Sequence, residues 1–380
     1  MRVNLIKALI FMATAFTAVA FFYPKNSVYA SGYSLSVIAG NKEYVYSGRE
    51  ISVYNGKLYL NCIDGVIDGI FYDTALFPVD ASVEFLPEND YPFKFESEKL
   101  GRGIDKVQLK KDIQKALYLR ENTVDAKFID LLPSVTVQSL KECAHKRAEF
   151  STDYSSSSLN RKHNVKLSTE KINGAVVESG GEFSFNGIVG ERSENNGFLS
   201  ATVIENGEFS QGVGGGVCQV STTLYNAVLL SGLTPTERHA HSLVPSYIEP
   251  SFDAMVSGSV CDLKFKNFTG GRIYIKGVAN GEKVTFTVYG KEIDTVYERE
   301  SVALEVILPS EPEIIVDESL PKDFCEWIKA EKSGIKSVGN LKVTKNGITA
   351  ITKLHTDVYK SVRGQKRVGA NLLDKTCQVG

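Results

Sequence analysis

The sequence predicts a multidomain α+β protein built around antiparallel sheets, with a helix beginning at a cysteine in its central domain and a small β-rich domain at its C-terminal end. Three observations carry that expectation. Apolar and polar residues alternate through much of residues 263–351, with Gly- and Asn-rich turns between the runs. A helical period starts directly after the triplet Gly214-Gly215-Gly216. The chain of 380 residues is 43% hydrophobic and 23% charged, which suits two or three domains with a core each and excludes a disordered or fibrous chain.

At the start, Arg2 and Lys7 precede an apolar run from Ala8 to Tyr23, and Val28-Tyr29-Ala30 offers small residues at cleavage-type positions. Residues 1–30 read as a signal peptide, or as a membrane anchor if uncleaved. The mature chain is expected outside the cytosolic membrane, secreted or held at the wall or the outer membrane face, and in contact with membrane only through that leader. ATP-dependent chemistry is not expected there.

Residues 31–150 read as an α+β domain. Leu35–Val37, Tyr44–Tyr46, Val53 and Leu58–Leu60 suggest strands. Asp105 is placed to cap a helix with Leu109, Ile113, Ala116 and Leu117 on one face. A second short helix is expected near Val137–Leu140, after the break at Pro133. Residues 151–160, STDYSSSSLN, suggest a polar, Ser-rich linker or loop. Residues 160–292 are expected to form the central domain. Leu263/Phe265, Ile273/Ile275 and Val284/Phe286/Val288 suggest three strands of one sheet. Residues 295–380 suggest a small β domain, with Asn346-Gly347 as a hairpin turn. The cluster Lys360, Arg363, Lys366 and Arg367 reads as a solvated strand end, or as a contact for anionic wall polymer.

Charge narrows the function classes. The formal charge is −2, and without the leader 40 cations face 45 acids. A nucleic-acid partner is not expected from that balance. The six cysteines contain no CxxC pair, which argues against structural zinc. No metal and no cofactor are expected.

The chemistry concentrates at Gly214–Ser221. Val217, Val220, Leu224, Ala227/Val228 and Ser231 share a helical face, and Gly232 fits the position that ends a helix. Cys218 therefore stands at a helix start, where unpaired N–H groups and the dipole favour a thiolate over the ordinary thiol of pKa about 8.5. Backbone N–H groups of Gly216–Cys218 could also cradle an oxyanion, each typically worth about 3 kcal/mol. Other readings stay open: a buried structural thiol, or a disulfide to Cys261. A phosphate cradle fails for want of a following GK[ST]. His239 and His241 project to one side of an extended segment, and either is a candidate base. His163 is a third candidate. Asp253 could orient an imidazole, or cap a turn. Arg238 could clamp a substrate carboxylate, or pair with an acid of the protein. Gly215, Gly216, Gln219, Ser221 and Tyr225 are the remaining residues expected against substrate.

These residues carry a resemblance. Over residues 160–290 the sequence resembles the VanW domain family. The matching pieces are Asn160-Arg161-x-His163-Asn164, Glu182-Phe183-Ser184-Phe185-Asn186, Gly214-Gly215-Gly216-Val217-Cys218-Gln219-Val220-Ser221, Leu224-Tyr225-Asn226, Glu237-Arg238-His239-x-His241-Ser242, Asp253-Ala254 and Asp262-Leu263-Lys264-Phe265. The preceding segment resembles a proposed peptidoglycan-binding domain, and the tail a diverged five-glycine wall-associated domain. The resemblance implies a cell-wall L,D-transpeptidase with Cys218 as nucleophile, a thioester intermediate, and stem peptides of peptidoglycan as donor and acceptor. A 3→3 cross-link is the product, or a trimmed stem if water is the acceptor. The rival expectations are a non-catalytic wall-binding or scaffold protein, and a cysteine peptidase acting on wall peptides.

Overall fold

The computed structural model describes residues 28–205, 208–258, 260–321 and 323–369. The leader expected over residues 1–30 lies almost wholly outside the described residues, as does Cys377. The fold is mixed and multidomain, and most strand pairs are antiparallel. It divides into two compact units. The first takes in the described residues up to Ala81 together with Ser97–Val135, and the second takes in Ser82–Glu96 and the described residues from Thr136 onward.

In the first unit a four-stranded sheet runs in the order Lys57–Leu60, Lys42–Tyr54, Val28–Ala39, Thr123–Asp125. Helices Ile63–Thr74 and Lys106–Leu119 share its core, which holds Leu35, Val37, Ile51, Ile67 and Ile113. The second helix starts as its sequence requires: the Asp105 carboxylate accepts from the Gln108 N–H at 2.9 Å. Its apolar positions Leu109, Ile113, Ala116 and Leu117 are all buried.

The second unit is organised by a sheet ordered Ala175–Val177, Ile273–Ala279, Lys283–Gly290, His145–Asp153, every neighbour antiparallel. Helices Leu159–Ile172 and Val217–Leu230 pack on it. Val165, Ile172, Leu224, Val228, Ile275, Val284 and Phe286 close the core between them. The hairpin Ser82–Phe85/Phe93–Glu96 belongs to this unit, and Phe85 and Phe93 each set a ring 5.1 Å from that of Tyr274.

Two expectations are corrected here. The serine-rich stretch is a loop only between Asp153 and Leu159 and is not a linker: Ser151–Asp153 complete a strand, Tyr154 is buried, and Ser158 caps helix Leu159–Ile172. Thr152 and Tyr154 face the core, so the serine count hid a periodic pattern. Nor do the three strands near the end of the domain share one sheet. Lys264–Lys266 pairs with Glu182–Ser184 and Pro235–Glu237, away from the other two. Asn267 makes the break, since its side-chain amide donates to the carbonyls of Val177 and Gly271 and turns the chain between sheets.

Beyond Gly290 a sheet of Thr295–Ile307, Gly334–Lys345 and Ile348–Tyr359 follows, and its second and third strands join at Asn346-Gly347, both with positive φ as a tight hairpin needs. The basic cluster lies around strand Gln365–Val368: Lys366 stands over Trp327, and Arg367 pairs with Glu326. Cys62, Cys143, Cys218 and Cys261 are free thiols, which removes the disulfide reading of Cys218 and Cys261, whereas Cys325 is disulfide-bonded. Among the described residues, no helix is long and apolar enough to cross a membrane.

Phe286 is fully buried in this core while Val278, on the adjacent strand, is 46% exposed. Phe286→Ala is expected to lower stability by about 3–5 kcal/mol, and Val278→Ala to stay within about 0.5 kcal/mol of the parent. Urea unfolding followed by circular dichroism checks both.

Candidate functional site

The site begins with the turn that precedes helix Val217–Leu230. Gly214 and Gly216 have φ of +89° and +110°, a region that favours glycine. A Cβ on Gly215 would stand 2.6 Å from the Thr202 carbonyl oxygen. The glycines thus bring the chain tightly under Ala201–Thr202 and launch the helix with Cys218 as its second residue. The helix ends at Ser231, with Gly232 at φ +75° beyond it. Arg147 donates from Nε and Nη2 to the Ser231 carbonyl at 3.0 and 2.8 Å, a cation placed where the helix dipole favours one.

Cys218 is half-buried against the core, with Sγ 3.4 Å from the Val256 carbonyl oxygen. His241, itself buried, hydrogen-bonds the sulfur. Its Nδ1 lies 2.6 Å from Asp253 Oδ2, and the same oxygen accepts from the His241 backbone N–H at 2.7 Å. Nδ1 is thereby taken up, leaving the other ring nitrogen for the sulfur. Cysteine, histidine and carboxylate form a chain in the order that acyl-transfer catalysis requires.

Electrostatics sharpen this geometry. Burial alone pushes the Cys218 thiol up, but the hydrogen bond and charge of His241, with Arg192 nearby, outweigh it and bring the thiol below its usual range. Burial likewise opposes a charged His241. The bond to Asp253 and the adjoining sulfur reverse that and raise it to about 9. Asp253 loses charge stability to burial, yet His241 and Arg238 hold it at about 2. All three shifts run the same way, towards charge on the sulfur, the imidazole and the carboxylate.

The other expected residues separate. His239 is at the surface, its Nε2 3.1 Å from Glu237 Oε1, and only its backbone stays near the site through a bridge to Met255. His163 meets the Gly197 carbonyl at 2.8 Å. Arg238 is not a substrate clamp. Its guanidinium is buried, donating from Nη2 to Asp253 Oδ1 and from Nη1 to Asp357 Oδ1, both at 2.7 Å, and from Nε to the Asp253 carbonyl at 2.6 Å. Gln219, Ser221 and Tyr225 are also internal. Gln219 accepts from Arg161 and donates to Thr152 and Asp153, and Ser221 donates to the Ala254 carbonyl. Tyr225 is buried beside Arg238. The reason is common to all three: the helix is buried around almost its whole circumference, so its polar residues serve the protein. Gly215 and Gly216 are packed against Thr202 and against Arg161 and Val165, so their role is to place the cysteine.

Arg192, Tyr247 and Tyr359 escaped the sequence reading. Arg192 lends positive charge to the sulfur, and its Nη2 donates to Asn186 Oδ1 at 2.5 Å. Tyr247 is within electrostatic reach of Cys218 and hydrogen-bonds Thr222. Tyr359 donates to Asp253 Oδ1 at 2.6 Å from 106 residues away. No local pattern announces a lone Arg or Tyr at that distance along the chain. Among the described residues, no group of three or more His, Cys, Asp or Glu is placed to hold a metal ion.

Residues 160–289 match the family model described as VanW like protein. Over 164 residues the chain is 38% identical to the uncharacterized protein YoaR of Bacillus subtilis (strain 168), covering 43% of this chain and 52% of that protein. Over 158 residues it is 27% identical to the vancomycin B-type resistance protein VanW of Enterococcus faecalis (strain ATCC 700802 / V583), covering 40% of this chain and 57% of that one. The chain thus spans about half the length of these curated relatives. Among solved structures, the HP0197 G5 domain is matched over its full length by 20% of this chain, at 23% identity and a TM-score of 0.13. An IgA1 protease G5 domain is matched over 90% of its length, at 17% identity and a TM-score of 0.16. Cys218, His241 and Asp253 all fall inside residues 160–289, the segment that matches the VanW like family model.

Proposed function

We propose that this is an exported cell-wall enzyme, a cysteine-dependent L,D-transpeptidase. The observation that carries the reading is the thiol at a helix start, hydrogen-bonded to an imidazole that Asp253 holds at 2.6 Å. The wall assignment draws on the resistance relative's name, the basic-apolar leader and a disulfide-bonded Cys325, which fits an oxidising compartment.

The reaction runs in two balanced steps. The Cys218 thiolate attacks the carbonyl between the third stem residue, a diamino acid, and the terminal D-alanine. The C–N bond breaks, D-alanine leaves with the proton of the His241 imidazolium, and a thioester forms. The side-chain amine of a second stem then attacks the thioester. A new C–N bond forms, the C–S bond breaks, and neutral His241 takes the amine proton, restoring the ion pair. Water in place of the amine gives a shortened stem. No ATP is consumed, because the thioester conserves the energy of the amide that was broken. Asp253 keeps the imidazole in one orientation and stabilises its charge.

Mixing the mature chain with disaccharide-tetrapeptide is expected to yield an acyl adduct on Cys218 by intact mass, with loss of D-alanine, and then cross-linked dimers. Cys218→Ala is expected to give neither. Dimers formed by Cys218→Ala at the parent rate would rule out the assignment.

The pH profile follows from the directions above. The active pair gains its thiolate below the ordinary thiol range and loses its imidazolium as pH rises through about 9. Acyl transfer should therefore hold through neutrality and decline on an alkaline limb near that value. His241→Ala should cost about 10²–10⁴ in rate, whereas His239→Ala should change it by less than about threefold. Initial rates of dimer formation across pH separate the two histidines, and equal losses would contradict the assignment.

A further inference from the structure

We infer that the C-terminal sheet is a working part of the Cys218 site: Tyr359 and Asp357, on strand Ile348–Tyr359, are positioning residues that hold Asp253 for His241. The inference rests on the cysteine chemistry proposed above and deepens it. It makes the last domain a component of the site, where the sequence suggested a separate wall-binding module.

Asp253 is fully buried and each of its oxygens has two partners. Oδ2 takes the backbone N–H of His241 and faces its Nδ1. Oδ1 takes Arg238 Nη2 at 2.7 Å and Tyr359 Oη at 2.6 Å. Arg238 is in turn fixed by Asp357 Oδ1 at 2.7 Å. One oxygen therefore serves the histidine, while the other is anchored directly and indirectly by the C-terminal strand. A carboxylate held at one oxygen only can swing about its side-chain torsions, and its bond to the imidazole then loses its geometry.

The backbone leading to Asp253 tells the same story. Ser251 has a φ of +66°, rare for a residue with a side chain, and costs energy unless its surroundings impose it. A turn bond from the Phe252 N–H to the Glu249 carbonyl closes around it, and the groups of Ser251 itself are held by the C-terminal sheet. The Ser251 N–H donates to Tyr359 Oη at 2.7 Å, its hydroxyl meets that of Ser337 at 2.7 Å, and its carbonyl oxygen lies 2.6 Å from His355 Nε2. A Cβ on Gly339 would come within 2.9 Å of that carbonyl oxygen, so this strand approaches as only glycine allows. Tyr359 thus grips the loop at two points, the strained Ser251 and the carboxylate two residues later.

The titratable and charged groups around the pair come from several elements. Arg238, Asp357, Tyr225, His355 and Tyr359 surround Asp253, while Arg192, Tyr247 and Cys261 act on the sulfur side. The test therefore reads the sulfur itself.

In the full chain, alkylation of Cys218 by iodoacetamide is followed across pH by peptide mass, which separates it from the other free thiols. The parent is expected to show a midpoint below that of an ordinary thiol. Tyr359→Phe is expected to raise it by about one pH unit, a tenfold change in the ionisation constant. Arg238→Lys keeps the charge but loses the three-way fork, and is expected to move it the same way. Should Tyr359→Phe fail to fold, Arg238→Lys carries the test. Asn340→Ala removes a bond to Glu300 within the same sheet without touching the Ser251–Asp253 loop, and should leave the midpoint unmoved. A folded Tyr359→Phe or Arg238→Lys with an unmoved or lowered midpoint overturns the inference, as does Asn340→Ala shifting it equally. A parent midpoint at the ordinary thiol value sinks the cysteine reading as well, whereas a low parent midpoint that no variant moves sinks the inference alone.

Discussion

The Asp253–His241 contact is the interaction on which the rest depends. A histidine this buried would ordinarily stay neutral, and a cysteine packed on a core would keep its proton. The carboxylate reverses both, since a charged imidazole becomes the favoured neighbour of a charged sulfur. Remove the carboxylate and burial wins on each side. The protein meets the cost of burying Asp253 with four hydrogen bonds to its carboxylate, two from His241 and one each from Arg238 and Tyr359, so acidic and basic groups alternate from Asp357 through Arg238, Asp253 and His241 to Cys218.

Holding such a row requires rigid neighbours, and the fold supplies them from distant parts of the chain. The glycine turn packs too closely to move far, and the helix it starts is buried on nearly every side. The segment bearing Asp253 is pinned to that helix through Thr222, whose hydroxyl accepts from the Ala254 N–H, and through Asn226, which donates to the Phe252 carbonyl. Arg299, on the first strand of the C-terminal sheet, reaches Asn226 and stands over the rings of Phe150 and Phe252. The buried polar face of the helix therefore ties Cys218, the loop that carries Asp253 and the following sheet into one body.

Much of this was legible in the sequence, and what was not has a physical explanation. Helix Val217–Leu230 and its glycine ends were readable because periodicity and positive-φ glycines are local signals. The capped helix Lys106–Leu119 and the Asn346-Gly347 hairpin were readable for the same reason. Cys218, His241 and Asp253 were named together, though the sequence left His239 and His241 equal. They differ only in which one the Asp253 loop meets, a tertiary fact. Arg238 stayed open between a substrate clamp and an ion pair because an arginine beside two histidines looks the same whether its partner is a ligand or an acid of the protein. Its partner Asp357 is 119 residues away. The serine-rich stretch misled because composition outweighed the alternation of Thr152 and Tyr154.

The central claim is that Cys218 is charged in the resting protein. Its most direct measurement is the ultraviolet absorbance of thiolate, titrated against pH as the difference between the parent and Cys218→Ser. The account predicts a thiolate signal already present at neutral pH that disappears only on acidification. A signal that emerges near the free-thiol value of about 8.5 would contradict it.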